Sequence, residues 1–308
     1  MGKCSGIAYV IPAFNCAGTL EEAVASICAD NLQEEDEIIV VDDCSTDATP
    51  DLIAELEKRT PRFRSFRHPV NKGTAAAGRN TAIANSCRDF IFCLDSDNVL
   101  APGSVSRLKA HMLAAGADVA SFGEARFFDQ TTDRVTHKMV YGKGGWVTLA
   151  DALAGGIWPG PSGNYLFTRE SWRRAGHYFE PTLLNQTLDS WTFGIAQLAT
   201  ESRMAVLEGS HYYHRWGHAS HYVRERERGN VSLAALAGLL PFLQLLEDED
   251  VDYIMSHDFR YSWFENLATR PVRLKNQGAG RSGTMTMPTL RMLTARRFRR
   301  LVRRLLGP

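Results

Sequence analysis

The chain has 308 residues, of which 44% are hydrophobic and 23% are charged. These proportions match soluble globular proteins, so they exclude a disordered or fibrous chain and leave both enzymes and binding proteins open. The formal net charge is zero, but residues 289–308 carry seven arginines and no acid, which leaves −7 on the other 288 residues. We predict no nucleic-acid partner.

The cysteines and the apolar stretches indicate the compartment. All six cysteines lie before residue 94 without a C-x-x-C pair, which is typical of reduced thiols rather than of a zinc site. The N-terminus lacks the features of a secretion signal, and the most apolar stretch, residues 231–246, is shorter than the roughly 20 residues that span a bilayer. We therefore expect a cytoplasmic protein without a transmembrane helix.

Strands and helices alternate through the first hundred residues. Strands are predicted at 7–11, 37–41, 63–67 and 89–94, and helices start near Thr19, Pro50 and Thr74. We expect Thr19 and Glu22 to form a capping box at the first of these helices. The alternation predicts βαβ units and a largely parallel sheet that is covered by helices on both faces. A further helix at 103–115 and a strand at 119–122 follow.

Polar residues follow three of the four predicted strands. Asn15 follows the first strand, Asp42 and Asp43 follow the second, and Asp95 and Asp97 follow the fourth. Ligands of open α/β sheets bind at the carboxyl ends of the strands. Because side chains at i and i+2 of an extended segment point to the same side, Asp95 and Asp97 can face one Mg²⁺ or Mn²⁺. The alternative is a D-x-D triplet that occurs by chance in a turn.

Four segments together carry a more specific signal. They are YVIPAFN (9–15), IIVVDDCSTD (38–47), NKGTAAAGRN (71–80) and FIFCLDSDN (90–98). In this order they resemble the family 2 glycosyltransferases of GT-A fold. The resemblance implies an α/β, Rossmann-like fold with a mostly parallel central sheet flanked by helices, followed by a mainly helical C-terminal extension.

The resemblance also implies a donor site. In the family, the acid that matches Asp43 contacts the nucleotide base, the arginine that matches Arg79 lies near the donor phosphates, and the D-x-D acids approach the ribose and the metal. The residues expected to bind the nucleotide-sugar donor are Pro12, Phe14, Asn15, Asp43, Arg79, Asp95, Ser96 and Asp97. The residues expected to hold Mn²⁺ or Mg²⁺ are Asp97, Asp95 and His214, with a hydrogen-bonding role as the alternative for His214.

The second half is expected to supply the catalytic base. Residues 163–176 (GNYLFTRESWRRAG) resemble the segment that precedes the base in the family, and Asp189 then falls at the usual Glu-Asp pair, with Leu188 in place of one acid. As base, Asp189 would take the proton from an acceptor hydroxyl that attacks the anomeric carbon opposite the leaving diphosphate, which inverts the configuration. The alternative is an Asp that only caps a helix.

The implied organisation has several parts. They are a glycosyltransferase domain at 1–225, made of a nucleotide-sugar-binding half (1–100) and an acceptor-binding half (101–225), a helical extension (226–268), a linker (269–288) and a basic tail (289–308). We expect metal-assisted, inverting transfer from a nucleotide diphosphate sugar, with UDP favoured, to a hydroxyl of a glycan, lipid-linked or other acceptor. Two alternatives stay open: a sugar-nucleotide nucleotidyltransferase, and a non-catalytic protein that binds nucleotide sugars or glycans.

The tail at 289–308 has the pattern of a basic amphipathic helix, with apolar residues on one face and arginines on the other. Such a helix can lie peripherally on the anionic inner face of a membrane, where each basic group adds about 1 kcal/mol. Packing of the same helix against its own protein is the alternative.

Overall fold

The computed structural model describes residues 5–29, 32–141, 145–154, 158–179, 188–216, 238–256, 258–259 and 271–275. The tail at 289–308 and most of the linker at 269–288 lie outside these residues, and the domain boundaries stay predictions. Within the described ranges, no helix is long and apolar enough to cross a membrane.

Residues 7–93 alternate between strands and helices, as predicted. The elements are β1 (Ile7–Ala13), α1 (Leu20–Cys28), β2 (Glu37–Asp42), α2 (Thr49–Arg59), β3 (Phe63–Arg67), α3 (Ala75–Ala84) and β4 (Phe90–Cys93). Each of the four predicted strands is confirmed within two residues at either end. The prediction succeeds because these strands are short and bounded by turn residues, and all of them except β3 are apolar runs.

The later elements are more varied. They are β5 (Val99–Leu100), α4 (Ser104–Ala115), β6 (Val119–Phe128), β7 (Val135–Val140), β8 (Gly145–Val147), α5 (Leu149–Leu153), β9 (Leu166–Thr168), α6 (Arg169–Arg174), α7 (Asp189–Ala199), β10 (Met204–Arg215) and α8 (Asp248–Ile254), with 3₁₀ turns at Gly160–Ser162 and Leu240–Leu245. The strand that was predicted to end at Phe122 continues to Phe128 and pairs with β7 as an antiparallel hairpin.

The strands form one mixed sheet in the order β3-β2-β1-β4-β9-β6-β10-β5, with β7 on β6 and β8 on β10. Strands β1 to β4 are parallel to one another, and β6 is parallel to β10. Between these two parallel groups lies β9, which is antiparallel to both β4 and β6. The short β9 therefore joins the first half of the chain to the second.

The core lies on both faces of this sheet. Side chains of β1 and β2 alternate between two apolar clusters, with Val10 and Ile39 in one cluster and Ile11 and Val40 in the other. A strand that is buried on both faces needs an unbroken apolar run, which explains the sequence EIIVV at 37–41. Burying each such side chain contributes about 1.5–3 kcal/mol. The rigid strands thus give the loops at their carboxyl ends fixed positions.

The predicted capping box at Thr19 is wrong, whereas the helix predicted to start near Thr74 has a side-chain cap. Thr19 does not form a capping box, since its hydroxyl donates to the Cys16 carbonyl at 3.4 Å and the Glu22 carboxylate pairs with Arg215 of β10. The ion pair with Arg215 occupies the Glu22 carboxylate that a capping box would require. Thr74 does cap α3, because its Oγ1 accepts from the Ala76 amide at 3.3 Å.

Candidate active site

Asp43 lies at the carboxyl end of β2 and is held by three donors. The amides of Lys72 and Gly73 donate to its carboxylate at 3.0 and 3.1 Å, and His68 Nδ1 lies 2.7 Å from Oδ1. His68 Nε2 lies 2.9 Å from the Thr81 hydroxyl on α3. These contacts fix the orientation of the carboxylate. The sequence did not predict a role for His68, which directly follows β3 and belongs to none of the four family-like segments.

Asn15 ties the loop after β1 to the loop after β2. Its backbone has a left-handed φ of 47°, its amide donates to the Ser45 hydroxyl at 2.9 Å, and its Oδ1 accepts from the Thr46 amide at 2.8 Å. Phe14 is 49% exposed beside it. An aromatic ring exposed at the carboxyl ends of the strands can cover a planar base.

The turn after β4 holds the D-x-D acids. Asp95 Oδ2 accepts from the Asn164 side chain at 3.1 Å and from the Asn98 side chain at 3.4 Å. Asn164 Oδ1 accepts from the Asp95 amide at 3.1 Å, so this buried residue bonds to both the backbone and the side chain of Asp95. Ser96, the middle residue, contacts the Cys16 thiol. Sequence reasoning missed Asn164, and the only available signal was its place beside Gly163 in the family-like segment.

Asp97 lies close enough to Asp95 for the two charges to interact. Burial raises the pKa of Asp97 to about 7, the charge of Asp95 adds to the rise, and Arg215 opposes it. Two neighbouring carboxylates in a shielded turn repel each other, and a divalent cation between them would relieve that repulsion. The D-x-D acids therefore match the hard oxygen donors that Mg²⁺ or Mn²⁺ requires.

His214 lies near the end of β10, next to the same turn. Its Nδ1 is 3.4 Å from Asn98 Nδ2 and 3.2 Å from the Tyr212 hydroxyl. Burial lowers the pKa of His214 to about 4, against the opposing charge of Asp95, so the ring is neutral as a metal ligand must be. Across the described residues, however, no three His, Cys, Asp or Glu side chains form a preassembled metal-binding group. The predicted ligands Asp95, Asp97 and His214 therefore do not form a preassembled metal site by themselves.

Arg79 of α3 links the two halves of the site. Its Nη2 donates to Asp95 Oδ1 at 2.7 Å, and its Nη1 donates to Asp189 Oδ2 and to the Ser190 hydroxyl, both at 2.8 Å. Burial opposes the charge, but Asp189 and Asp95 raise the pKa of Arg79 well above its ordinary value. The guanidinium also lies over the Tyr178 ring, 5.3 Å from its centroid. The structure thus buries one cation between two carboxylates.

Asp189 is the first residue of α7. The N-cap position belongs to Leu188, so Asp189 is not the cap itself. Its Oδ1 accepts from the Ser190 amide at 2.8 Å, while its Oδ2 faces Arg79. Its side chain is 14% exposed. The Asp189 carboxylate therefore bonds both to the first turn of α7 and to the Arg79 guanidinium in the site.

Helix α3 connects the Asp43 end of the site to the Asp95 end. A Cβ at Gly78 would lie 3.1 Å from Pro12 Cβ, so glycine lets the helix approach β1 closely. Thr81 on the same helix contacts His68, and Arg79 reaches Asp95. The small residues of α3 thus bring the strand ends and the arginine together.

The sequence model described as Glycosyl transferase family 2 matches residues 9–175. The match covers more than half of the chain, and the chain belongs to glycosyltransferase family 2. It is 36% identical over 118 residues to the succinoglycan biosynthesis protein ExoO of Rhizobium meliloti, covering 38% of this chain and 33% of the relative. It is 38% identical over 102 residues to ExoU of the same organism, covering 33% and 29%. The aligned part therefore spans about a third of these curated relatives.

Solved structures resemble most of the chain. TarS 1-349 of S. aureus in complex with UDP superposes with a TM-score of 0.61 at 18% identity, covering 84% of this chain and 72% of that one. The same protein in complex with UDP-GlcNAc gives 0.61 at 19% identity, covering 84% and 72%. At this identity the likeness shows the fold alone. It confirms the predicted GT-A fold, and membership of the family supports the predicted class of enzyme.

Proposed function

We propose that the chain is an inverting, metal-assisted glycosyltransferase that moves a sugar from a UDP-sugar to a hydroxyl of a glycan or lipid-linked acceptor. One observation carries the proposal. Asp95 from the D-x-D turn and Asp189 from the second half contact the same Arg79 guanidinium, at 2.7 and 2.8 Å. The acid that we assign to the diphosphate side and the base that we assign to the acceptor side would thus share one centre.

The nucleotide would lie over the loops after β1 and β2. Pro12, Phe14 and Asn15 would surround the base, and the Asp43 carboxylate would accept a hydrogen bond from it. A carboxylate accepts and does not donate, so it suits a base that presents a ring N–H, as uracil does. The solved TarS complexes contain UDP and UDP-GlcNAc, which supports UDP as the carrier. Ser96 would lie beside the ribose.

A divalent ion would be held by Asp97 and Asp95, with His214 as the third candidate ligand. Family 2 enzymes generally use a divalent metal. Mg²⁺ and Mn²⁺ sites in enzymes commonly use few protein oxygens and complete their shell with water and phosphate, which agrees with the partial set found here. When bound, the ion would supply charge neutralisation for the leaving diphosphate.

Asp189 would act as the general base. It takes the proton from the acceptor hydroxyl as that oxygen forms a bond to the anomeric carbon, and the bond from this carbon to the diphosphate oxygen breaks with its electron pair. Attack on the face opposite the leaving group inverts the anomeric configuration. Asp189 ends the step protonated and returns the proton to solvent.

The relatives support a glycan or lipid-linked acceptor. ExoO and ExoU are named for succinoglycan biosynthesis. A Campylobacter jejuni relative, 30% identical over 102 residues, is named GalNAc(5)-diNAcBac-PP-undecaprenol beta-1,3-glucosyltransferase and so acts on a lipid-linked glycan. A cytoplasmic location, with peripheral contact to the membrane through 289–308, would suit such acceptors.

A thermal-shift panel of UDP-, GDP- and dTDP-sugars, each with and without Mn²⁺, tests the donor. A ligand that binds only the folded protein raises its stability, so a UDP-sugar should raise Tm in the presence of Mn²⁺ and far less after chelation. A protein that no nucleotide sugar stabilises would contradict the proposal. A nucleotidyltransferase would instead release pyrophosphate from a nucleoside triphosphate, and a non-catalytic binder would be stabilised without ever releasing UDP.

A further inference from the structure

Helix α4 exposes a stripe of small and apolar side chains beside a positive charge. The exposed residues of the helix are Arg107, Ala110, Leu113 and Ala114, and their spacing places them on one face. Leu113 is 60% exposed. The sequence of α4, SVSRLKAHMLAA, contains no acidic residue. The outer face of this helix is therefore apolar along most of its length and carries only positive charge.

Trp146 of β8 lies on the same side of the sheet as α4. In the pairing of β8 with β10, Trp146 is opposite Ala205, which is in turn level with Ala120 of β6. Residues that are level on neighbouring strands share a face of the sheet. Ala120 packs in the same apolar cluster as Leu108 of α4. Trp146 therefore projects beside α4, where it is 48% exposed.

Arg203 joins Trp146 to the end of α4. Its guanidinium carbon lies 4.3 Å from the centroid of the Trp146 ring, and its Nη1 donates to the carbonyl of Gly116, the C-cap of α4, at 3.2 Å. Asp118 lies beside Arg203, but its carboxylate pairs with Arg174 at 2.9 Å. The exposed stripe of α4, Arg203 and Trp146 thus form one surface, called here the α4 surface, that is apolar and positively charged at once.

The α4 surface runs along the sheet and does not cover the candidate active site. Helix α4 begins at Ser104, four residues after β5 and close in sequence to the D-x-D turn, and ends shortly before β6. A flat partner on the outside of α4 would therefore lie alongside the strands. It would leave the loops at their carboxyl ends accessible to ligands.

We propose that the α4 surface docks on an anionic phospholipid bilayer, with Trp146 and Leu113 at the level of the headgroups. Indole rings prefer this interface because they are apolar with one polar N–H, and anionic headgroups attract each arginine near the surface. Two copies of the chain that met through this surface would bring like charges together, as would the arginine-rich tail at 289–308. The contact depends neither on that tail nor on the proposed reaction.

The first test places Trp146 relative to the bilayer. The full chain and Trp146→Phe are mixed with phosphatidylglycerol vesicles whose acyl chains carry bromine, which quenches only indoles that reach the bilayer. The chain has six tryptophans, and the variant keeps the other five. We expect wild type to lose a fraction of its emission that Trp146→Phe does not lose. An equal loss in both proteins would overturn the proposal, even if the tail carried the protein to the vesicles.

The second test compares vesicle affinities by co-sedimentation. The double variant Leu113→Ser with Trp146→Ser should bind phosphatidylglycerol vesicles about tenfold more weakly than wild type, because it buries less apolar surface. Arg203→Gln should weaken binding about fivefold, since one headgroup attraction is lost. Wild type should bind neutral phosphatidylcholine vesicles far more weakly. Unchanged affinity in the folded double variant would overturn the proposal.

Val140→Ser is the matched control. Val140 is 54% exposed on β7, and its neighbour Met139 packs against the apolar cluster under α4, so Val140 points to the opposite face of the sheet. Its vesicle affinity should equal that of wild type.

Self-association is separated by acrylamide quenching without vesicles. Shielding of Trp146 that grows with protein concentration would overturn the proposal and make the α4 surface an interface between copies. None of these measurements uses turnover, so a chain that releases no UDP would refute the proposed function and leave the α4 surface to be decided by the vesicles.

Discussion

His68 Nδ1 and Asp43 Oδ1 lie 2.7 Å apart, and the other ring nitrogen of His68 lies 2.9 Å from the Thr81 hydroxyl. Replacing His68 by Ala removes a donor that orients Asp43. We expect the Kd of UDP to rise about tenfold, which corresponds to about 1.4 kcal/mol, as the carboxylate loses its fixed orientation. Isothermal titration of UDP in the presence of Mn²⁺ measures this change.

The control for this prediction is His177→Asn. His177 is an exposed histidine with a left-handed φ of 72°, a conformation that asparagine tolerates, and it lies outside the proposed donor site. UDP affinity should stay at the wild-type value in this variant. Equal affinities in folded His68→Ala and wild type would show that Asp43 does not need the histidine.

Gly163→Ala should destabilise the protein more than alanine at Gly176 or Gly18. A left-handed backbone costs a non-glycine residue roughly 1–2 kcal/mol, and the added Cβ would also lie 2.6 Å from Ser190 Oγ. Overpacking of that kind costs about 1–3 kcal/mol more. Urea denaturation should therefore show a loss of about 3 kcal/mol in the free energy of unfolding.

Two other glycines separate the backbone effect from the clash. Gly176 has a φ of 80° and open space at its Cβ, so Gly176→Ala should show only the backbone cost. Gly18 has neither a left-handed φ nor a contact, so Gly18→Ala should be nearly neutral. If Gly163→Ala is no less stable than Gly176→Ala, the close packing of Ser190 and Arg79 on residue 163 is refuted.

Cys93 should make stability depend on alkaline pH. Burial raises the pKa of Cys93 from 9.0 to about 11, and the thiol lies 3.4 Å from the Tyr178 hydroxyl. Because the folded-state pKa is raised, the stabilising contribution is complete below pH 9 and is lost as pH rises through 11. Between pH 8 and 10 this loss is about 1 kcal/mol.

Urea midpoints at pH 8 and pH 10 check this prediction in wild type and Cys93→Ala. The alanine variant should lose about 1 kcal/mol less than wild type over that interval, whatever its stability at pH 8. Exposed Cys87→Ala is the control and should follow wild type. Identical pH slopes for wild type and Cys93→Ala would contradict a buried, neutral thiol.

The first hundred residues reveal their fold because the information is local. EIIVV at 37–41 has the unbroken, β-branched pattern of a strand that is buried on both faces, and Thr74 caps the helix that begins at the next residue. Polar residues at the strand ends then lie at one edge by the rule of parallel sheets. Asp43 and Asp95 are accordingly found at carboxyl ends of the parallel strands.

The residues that contact these acids could not be predicted from local sequence patterns. Asn164 and Arg79 reach Asp95 through contacts that join residues 69 and 16 positions apart, and the antiparallel β9 that begins two residues after Asn164 has only three residues. Glu22 shows the same limit, since its local pattern predicts a cap and its pairing with Arg215 prevents one. Local patterns do not report such long-range pairs.

The most direct test follows UDP release from the UDP-sugar that binds best, with a hydroxyl acceptor present. We predict Mn²⁺-dependent release in wild type and in the exposed-acid control Asp133→Asn, and a loss of at least about 100-fold in both Asp97→Asn and Asp189→Asn, with UDP still bound by Asp189→Asn. Full release by Asp97→Asn in the presence of a chelator would contradict the account.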